Sequence, residues 1–242
     1  MKITLTEAKK AVKNVDGFFA SYVSSTLSPY LVKASAALNI HPNTLTFFSV
    51  VTTLVGIFLF FLGSQAQLII GAILIQIGLI FDVADGQLAR ATNQKSAFGA
   101  WFDYMSDRLT EFLAIFALTY SAFQASGDTQ LFTLAFAGIL ATNLRHYDFS
   151  LRKNLGIIDL SNKYTDEKKI PKTGFTRLSA ILKESLLFMQ SERLAVISIC
   201  AILGKIELML WIYCIWGALI LLAKSGMSWY NHFTKSSNKT SL

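Results

Sequence analysis

Charge is scarce in this chain: only 15% of its 242 residues are Asp, Glu, Lys or Arg, while 53% are hydrophobic. With a mean hydropathy of +0.47, that composition excludes an ordinary soluble globular domain and indicates a membrane protein. Cysteine and histidine are scarcer still, with two and three residues respectively. Cys200 and Cys214 lie inside apolar runs, and His41, His146 and His232 are far apart in sequence. Neither a disulfide framework nor a zinc site is expected from them. The opening MKITLTEAKKAVKNVDGFF has no continuous apolar stretch of the kind a cleavable signal needs, so none is expected. Internal repeats and low-complexity tracts are also missing, and the tail from Thr234 to Leu242 is read as disordered.

Long apolar runs, by contrast, are plentiful. Crossing about 30 Å of hydrocarbon takes roughly 20 helical residues, and six stretches qualify: 44–64, 67–91, 98–124, 130–150, 185–204 and 207–225. Positive charge sorts the connections between them. Lys2, Lys9, Lys10, Lys13 and Lys33 precede the first span, Lys95 follows the second, and a dense basic set from Arg145 to Lys183 follows the fourth. The alternate loops GSQAQ and SGDTQ and the lone Lys205 carry almost none. The positive-inside rule then puts both termini in the cytoplasm, which requires an even number of spans. The net charge of +7 reads as a topology signal and an attraction to anionic headgroups, not as nucleic-acid binding.

The expected fold is all-α and integral to the membrane, with six transmembrane helices behind an amphipathic surface helix. Residues 1–41 form a cytoplasmic N-terminal segment, 42–225 the transmembrane domain and 226–242 a cytoplasmic tail. Residues 18–40 are too polar, and too interrupted by Pro29, to span; they read as the surface helix. His41-Pro42-Asn43 breaks the chain, with Asn43 or Thr44 as N-cap of the first span, and Ser96 is the expected N-cap of the third. Loop 151–184 is the longest extramembrane piece. The aromatic residues Trp211, Trp216 and Trp229 suit membrane interfaces and need no ligand.

One stretch departs from the apolar pattern. In FDVADGQLARATNQKSAFGAWFDYMSD, Asp82 and Asp85 end one apolar run, and Asp103 and Asp107 begin the next across the short turn TNQKS. At about 100° per residue, Asp82, Asp85, Gly86, Ala89 and Arg90 share one arc of a helix, and Gly99, Asp103 and Asp107 form a stripe on its neighbour. Carboxylates gathered at one end of a helical hairpin repel each other strongly unless cations intervene. Acceptor-only oxygens without nearby His or Cys suit hard ions such as Mg2+ or Mn2+. Gly86, Ala89 and Gly99 leave room for a bulky group such as a nucleotide, and the forked guanidinium of Arg90 suits a phosphate oxygen. Plainer readings stand beside these. The small residues also permit close helix packing, Arg90 is also a juxtamembrane anchor, and intramembrane aspartates also line ion paths, so a cation or metal transporter is the alternative function.

The full spacing, D-x2-D-G-x2-A-R-x8-G-x3-D-x3-D, matches at Asp82, Asp85, Gly86, Ala89, Arg90, Gly99, Asp103 and Asp107 the signature of the CDP-alcohol phosphotransferase family, which this chain resembles. Pro42-Asn43-x-Leu45-Thr46 and the six-span pattern extend the resemblance over most of residues 18–225. It implies transfer of a phosphate-bearing alcohol from CMP to an acceptor hydroxyl, in phospholipid or related phosphodiester synthesis. By the same resemblance, Asp82, Asp85, Asp103 and Asp107 hold two divalent ions, Asp107 is also the base, and Asn43, Gly86, Ala89, Arg90 and Gly99 contact the CDP-alcohol donor. It further implies an alcohol acceptor, membrane lipids as surroundings and a homodimer. The donor is left open between CDP-diacylglycerol and a soluble CDP-headgroup, and residues 16–46 resemble relatives that use CDP-inositol or CDP-choline-like donors. Arg145, Arg152 and Lys153 read either as cytoplasmic loop charge or as receivers of a phosphorylated acceptor, and Glu111 either as a partner of the site or as a paired or solvated surface group.

Overall fold

Residues 3–155 and 174–237 are described by the computed structural model, and among them every regular element is helical. In chain order these are α1 (Leu5–Lys10), α2 (Ser25–Ala37), α3 (Pro42–Leu62), α4 (Gln65–Ala91), α5 (Ala97–Ser126), α6 (Gln130–Asn154), α7 (Phe175–Leu186), α8 (Gln190–Ile202) and α9 (Ile206–Ser237). A π-helical turn, Ala20–Ser24, runs directly into α2. It lies one turn ahead of Pro29, whose missing N–H cannot serve the Ser25 carbonyl, so the helix widens where its ladder is already interrupted.

The turns obey local chemistry. Gly63 ends α3 in the left-handed conformation, with φ of 75°, and Ser64 then caps α4 through a capping box with Gln67. With only those two residues between them, α3 and α4 are forced antiparallel. Ser96 caps α5 as expected, its Oγ accepting from Gly99 N at 2.9 Å. The cap of α3 is different from the expected Asn43 or Thr44. His41 takes that position, with Nδ1 accepting from Asn43 N at 3.2 Å, because Pro42 has no N–H to lose and occupies the first helical position.

Close packing of α3 on α4 rests on glycine. A Cβ on Gly71 would come 2.7 Å from the Gly56 carbonyl oxygen and 2.9 Å from the Phe60 ring. Gly71→Leu is therefore expected to lower stability by about 1–3 kcal/mol through overpacking, read as a lower midpoint of thermal unfolding in detergent. Below this contact, Ile57, Phe60, Ile75, Ala114, Leu118, Ile197 and Met209 belong to one buried core shared by α3, α4, α5, α8 and α9. A second cluster of Ile3, Ala8, Val32, Ala36, Leu45, Ala84 and Leu88 fastens α1 and α2 onto the α3–α4 pair.

Among the described residues, three helices are long and apolar enough to cross a membrane: α3, α4 and Ile206–Met227 of α9. The expected span 185–204 falls on the end of α7 and on α8, a pair bent by 71° that makes a fourth if the two cross as one. The break falls where Phe188 takes a positive φ of 53°. α5 and α6 are long enough, but charged side chains such as Asp103, Arg108 and Glu111 on one and Arg145, His146 and Asp148 on the other interrupt their apolar surface. The expected loop 151–184 is helical at both ends, within α6 and α7, and the remainder of it, 156–173, lies outside the described residues. The tail read as disordered from Thr234 continues α9 as far as Ser237, past the expected domain boundary at 225, since no proline stops the helix; residues 238–242 lie outside the described part.

Candidate metal and substrate site

The short α4–α5 turn brings the two aspartate stripes face to face. Carboxylate oxygens of Asp82, Asp85 and Asp103 all lie within 4.8 Å of one another, and Asp107 lines the same cavity of about 280 Å³ one turn further along α5. Three carboxylate oxygens at this separation are a donor set for a hard divalent ion, so the residues present fit Mg2+ or Mn2+. Asp85 is held by Thr46 on α3, whose Oγ1 donates to Asp85 Oδ2 at 2.5 Å. Gln190, at the start of α8, is a side-chain partner of Asp107. The Pro42–Thr46 stretch thus works through its threonine, a role the sequence reading did not assign.

The other expected contacts divide. Gly86 and Arg90 line the cavity, whereas Asn43, Ala89 and Gly99 are not among its lining residues. The space beside Gly86 is partly taken by protein: a Cβ there would meet Arg90 Nη1 at 3.3 Å. Arg90 is fixed by its Nε, which donates to the Ala11 carbonyl at 2.8 Å. Asn43 and Gly99 meet each other beside the site, for a Cβ on Gly99 would lie 2.9 Å from Asn43 Oδ1. Lys13 and Asp16 from the N-terminal segment and Gln190 and Ser191 from α8 also line it. No spacing rule points to these four, because they reach the cavity from elements remote in sequence.

Behind Asp107 lies a buried charge cluster. Glu111 receives Arg193 Nε at 2.5 Å, Arg193 Nη2 at 3.1 Å and Arg108 Nη1 at 3.0 Å. Glu111 is therefore paired, and it is buried, not solvated at a surface. Arg108 Nη1 and Arg145 Nη2 approach His146 Nε2 at 2.8 and 3.0 Å. Two guanidinium donors on one ring nitrogen make it an acceptor, so the imidazole is neutral with its proton on Nδ1. Arg145 thus belongs to a helix and a buried network, not to loop charge, and its Nη1 also donates to the Leu187 carbonyl. Arg152 is engaged by Asp148 and by the Lys224 carbonyl, while the side chain of Lys153 lies outside the described part.

Comparison with known proteins converges on one family. The sequence profile of the family described as CDP-alcohol phosphatidyltransferase matches residues 39–235. A bifunctional IPC transferase and DIPP synthase of Aquifex aeolicus is 38% identical over 115 residues, covering 46% of this chain and 25% of that protein. An archaetidylinositol phosphate synthase of Pyrococcus horikoshii is 37% identical over 86 residues, covering 36% of this chain and 44% of the relative. The aligned part is thus less than half the length of either relative. Among solved structures, that of Mycobacterium tuberculosis phosphatidylinositol phosphate synthase (PgsA1) with CDP-DAG bound superposes with a TM-score of 0.64 at 16% identity, covering 84% of this chain and 94% of the other. At that identity the likeness is one of fold.

Proposed function

Because the chain belongs to the CDP-alcohol phosphatidyltransferase family, we propose that it transfers a substituted phosphate from a CDP-alcohol to an acceptor hydroxyl and releases CMP. The observation that carries this reading is the convergence of Asp82, Asp85 and Asp103 within 4.8 Å on a cavity shared with Asp107. Those three aspartates, with help from Asp107, would hold Mg2+ or Mn2+. When bound, such ions neutralise diphosphate oxygens and stabilise CMP as leaving group. Asp107 accepts the proton of the acceptor hydroxyl as its oxygen bonds to phosphorus and the bond from phosphorus to the CMP oxygen breaks. Gln190 orients the Asp107 carboxylate for this, and Arg90 faces a phosphate of the donor.

The acceptor is a phosphate-bearing alcohol in this reading. Arg108 and Arg193 bind a single carboxylate, Glu111, one turn beyond Asp107 on α5, and Arg145 joins Arg108 at His146, which leaves an excess of positive charge beside the site. Buried Arg108 Nε has no hydrogen-bond partner among the described residues, so it is free to donate to an anion. The names of the Aquifex and Pyrococcus relatives support an inositol phosphate as the first acceptor to try. Asn43, Ala89 and Gly99 would reach only the outer part of a bound nucleotide.

The basic loops support six crossings, made by α3, α4, α5, α6, the α7–α8 pair and α9, with termini and aspartates on the cytoplasmic side. The helix from Ala20 to Ala37 would then lie along the cytoplasmic surface, and the assembly would be a homodimer, as the family resemblance implies.

The test is CMP release by the purified protein from CDP-diacylglycerol and a panel of CDP-headgroups, crossed with acceptors including inositol phosphate, with lipid products read by mass spectrometry. Chelation by EDTA is expected to abolish release, and added Mg2+ or Mn2+ to restore it. Metal uptake into liposomes without CMP from any donor would instead support the transporter alternative and overturn the transferase.

A further inference from the structure

The segment that leads from α1 to α2 is bound where a lysine-rich N-terminus would ordinarily be left to solvent. α1 is closed by a capping box, with Glu7 Oε2 accepting from Thr4 N at 2.8 Å, and its buried Ala8 joins the cluster on α4. From there residues 11–19 pass the carboxylate cavity, which Lys13 and Asp16 line, and are tied on both sides. Arg90 Nε holds the Ala11 carbonyl at 2.8 Å, and Arg177 Nε on α7 holds the Asn14 carbonyl at 3.2 Å. Phe18 N donates to Ser185 Oγ at 2.7 Å and Phe19 N to Glu192 Oε1 at 3.3 Å. These are bonds from the strap's own backbone to four side chains on three helices, so its path is set by the fold.

Lys13 sits in the middle of this strap. It lines the carboxylate cavity and also a neighbouring cavity of about 610 Å³, with Arg90 common to both walls. Among the described lining residues of the carboxylate cavity, Lys13 and Arg90 are the only cations, against Asp16, Asp82, Asp85, Asp103 and Asp107. Arg90 already has Nε committed to Ala11. The Lys13 ammonium lies 3.4 Å from Asp16 Oδ2, with 61% of its side chain exposed. Such a pair is weak and exchanges readily, and its four-carbon stem lets the ammonium swing.

We propose that Lys13 is a donor-binding residue, leaving Asp16 to bind the diphosphate of a CDP-alcohol, with the strap 11–19 as the wall that carries it. This rests on the transferase reading of the same cavity. A diphosphate adds negative charge to a wall already rich in carboxylates, so a mobile cation at the rim lowers the repulsion that bound metal leaves. Asp16 holds that cation in place when no donor is bound.

Calorimetric titration of the full chain in detergent with CDP and Mg2+ tests this. Lys13→Ala is expected to weaken CDP binding by about tenfold and to raise the donor KM with little change in kcat, and Lys13→Arg to restore most of both. Arg177→Ala, which removes one of the strap's two ties to α7, is expected to weaken CDP binding in the same direction. Wild-type affinity and KM in Lys13→Ala would overturn the proposal, as would equal losses in Lys13→Ala and Lys13→Arg, or a wild-type protein that binds no CDP. Wild-type protein that binds CDP in a Lys13-dependent way yet releases no CMP from any donor would sink the transferase reading while supporting this one.

Discussion

Replacing Asp107 by asparagine is expected to cut CMP release by about 10²–10⁴-fold, the usual contribution of a positioned general base. The substitution preserves size and keeps a hydrogen-bonding group toward Gln190, so it removes the proton acceptor with little change in shape. Asp107 lies outside the triple of oxygens within 4.8 Å, which Asp82, Asp85 and Asp103 supply. Binding of CDP with Mg2+ should therefore survive in Asp107→Asn and fail in Asp82→Asn, and titration of the two variants separates the roles. Turnover above a tenth of wild type in Asp107→Asn would show that another group takes the proton.

Loss of Glu111 is expected to be the most destabilising single change near the site. Its carboxylate receives Arg193 and Arg108, and Arg193 is entirely buried, at 0% exposure. Glu111→Ala strands the Arg193 guanidinium away from water and takes a partner from Arg108, at a cost of about 3–5 kcal/mol. The measurement is thermal unfolding of the detergent-solubilised protein. A double variant, Glu111→Leu with Arg193→Met, removes the closest pair together and should recover part of the loss, because two apolar side chains of similar volume need no partner. Stability equal to wild type in Glu111→Ala would mean that water or lipid headgroups reach the arginines.

The aspartate hairpin was readable because its determinants are local. Asp82 and Asp85 are three residues apart, Asp103 and Asp107 four, and Ser96 starts the second helix, so helical periodicity puts each pair on one face and a short turn joins the two helices, while α3, packed against both, holds them. Elsewhere a local rule admits two valid answers, and the packing decides between them. Asn43 is a good capping residue, but Pro42 was better placed as the first helical position, which passed the cap to His41. The apolar run at 185–204 has the length of a span, but nothing in its hydropathy reveals the left-handed Phe188 at which it bends.

Sequence alone established the membrane class, the carboxylate spacing and the family resemblance, since each depends on composition or on residues within a few turns of one another. Only the tertiary structure decided that Thr46 holds Asp85, that Glu111 meets Arg193, and that the Lys13 strap walls the cavity. Those contacts join residues far apart along the chain, and periodicity carries no information about which remote elements the packing of apolar faces will bring together.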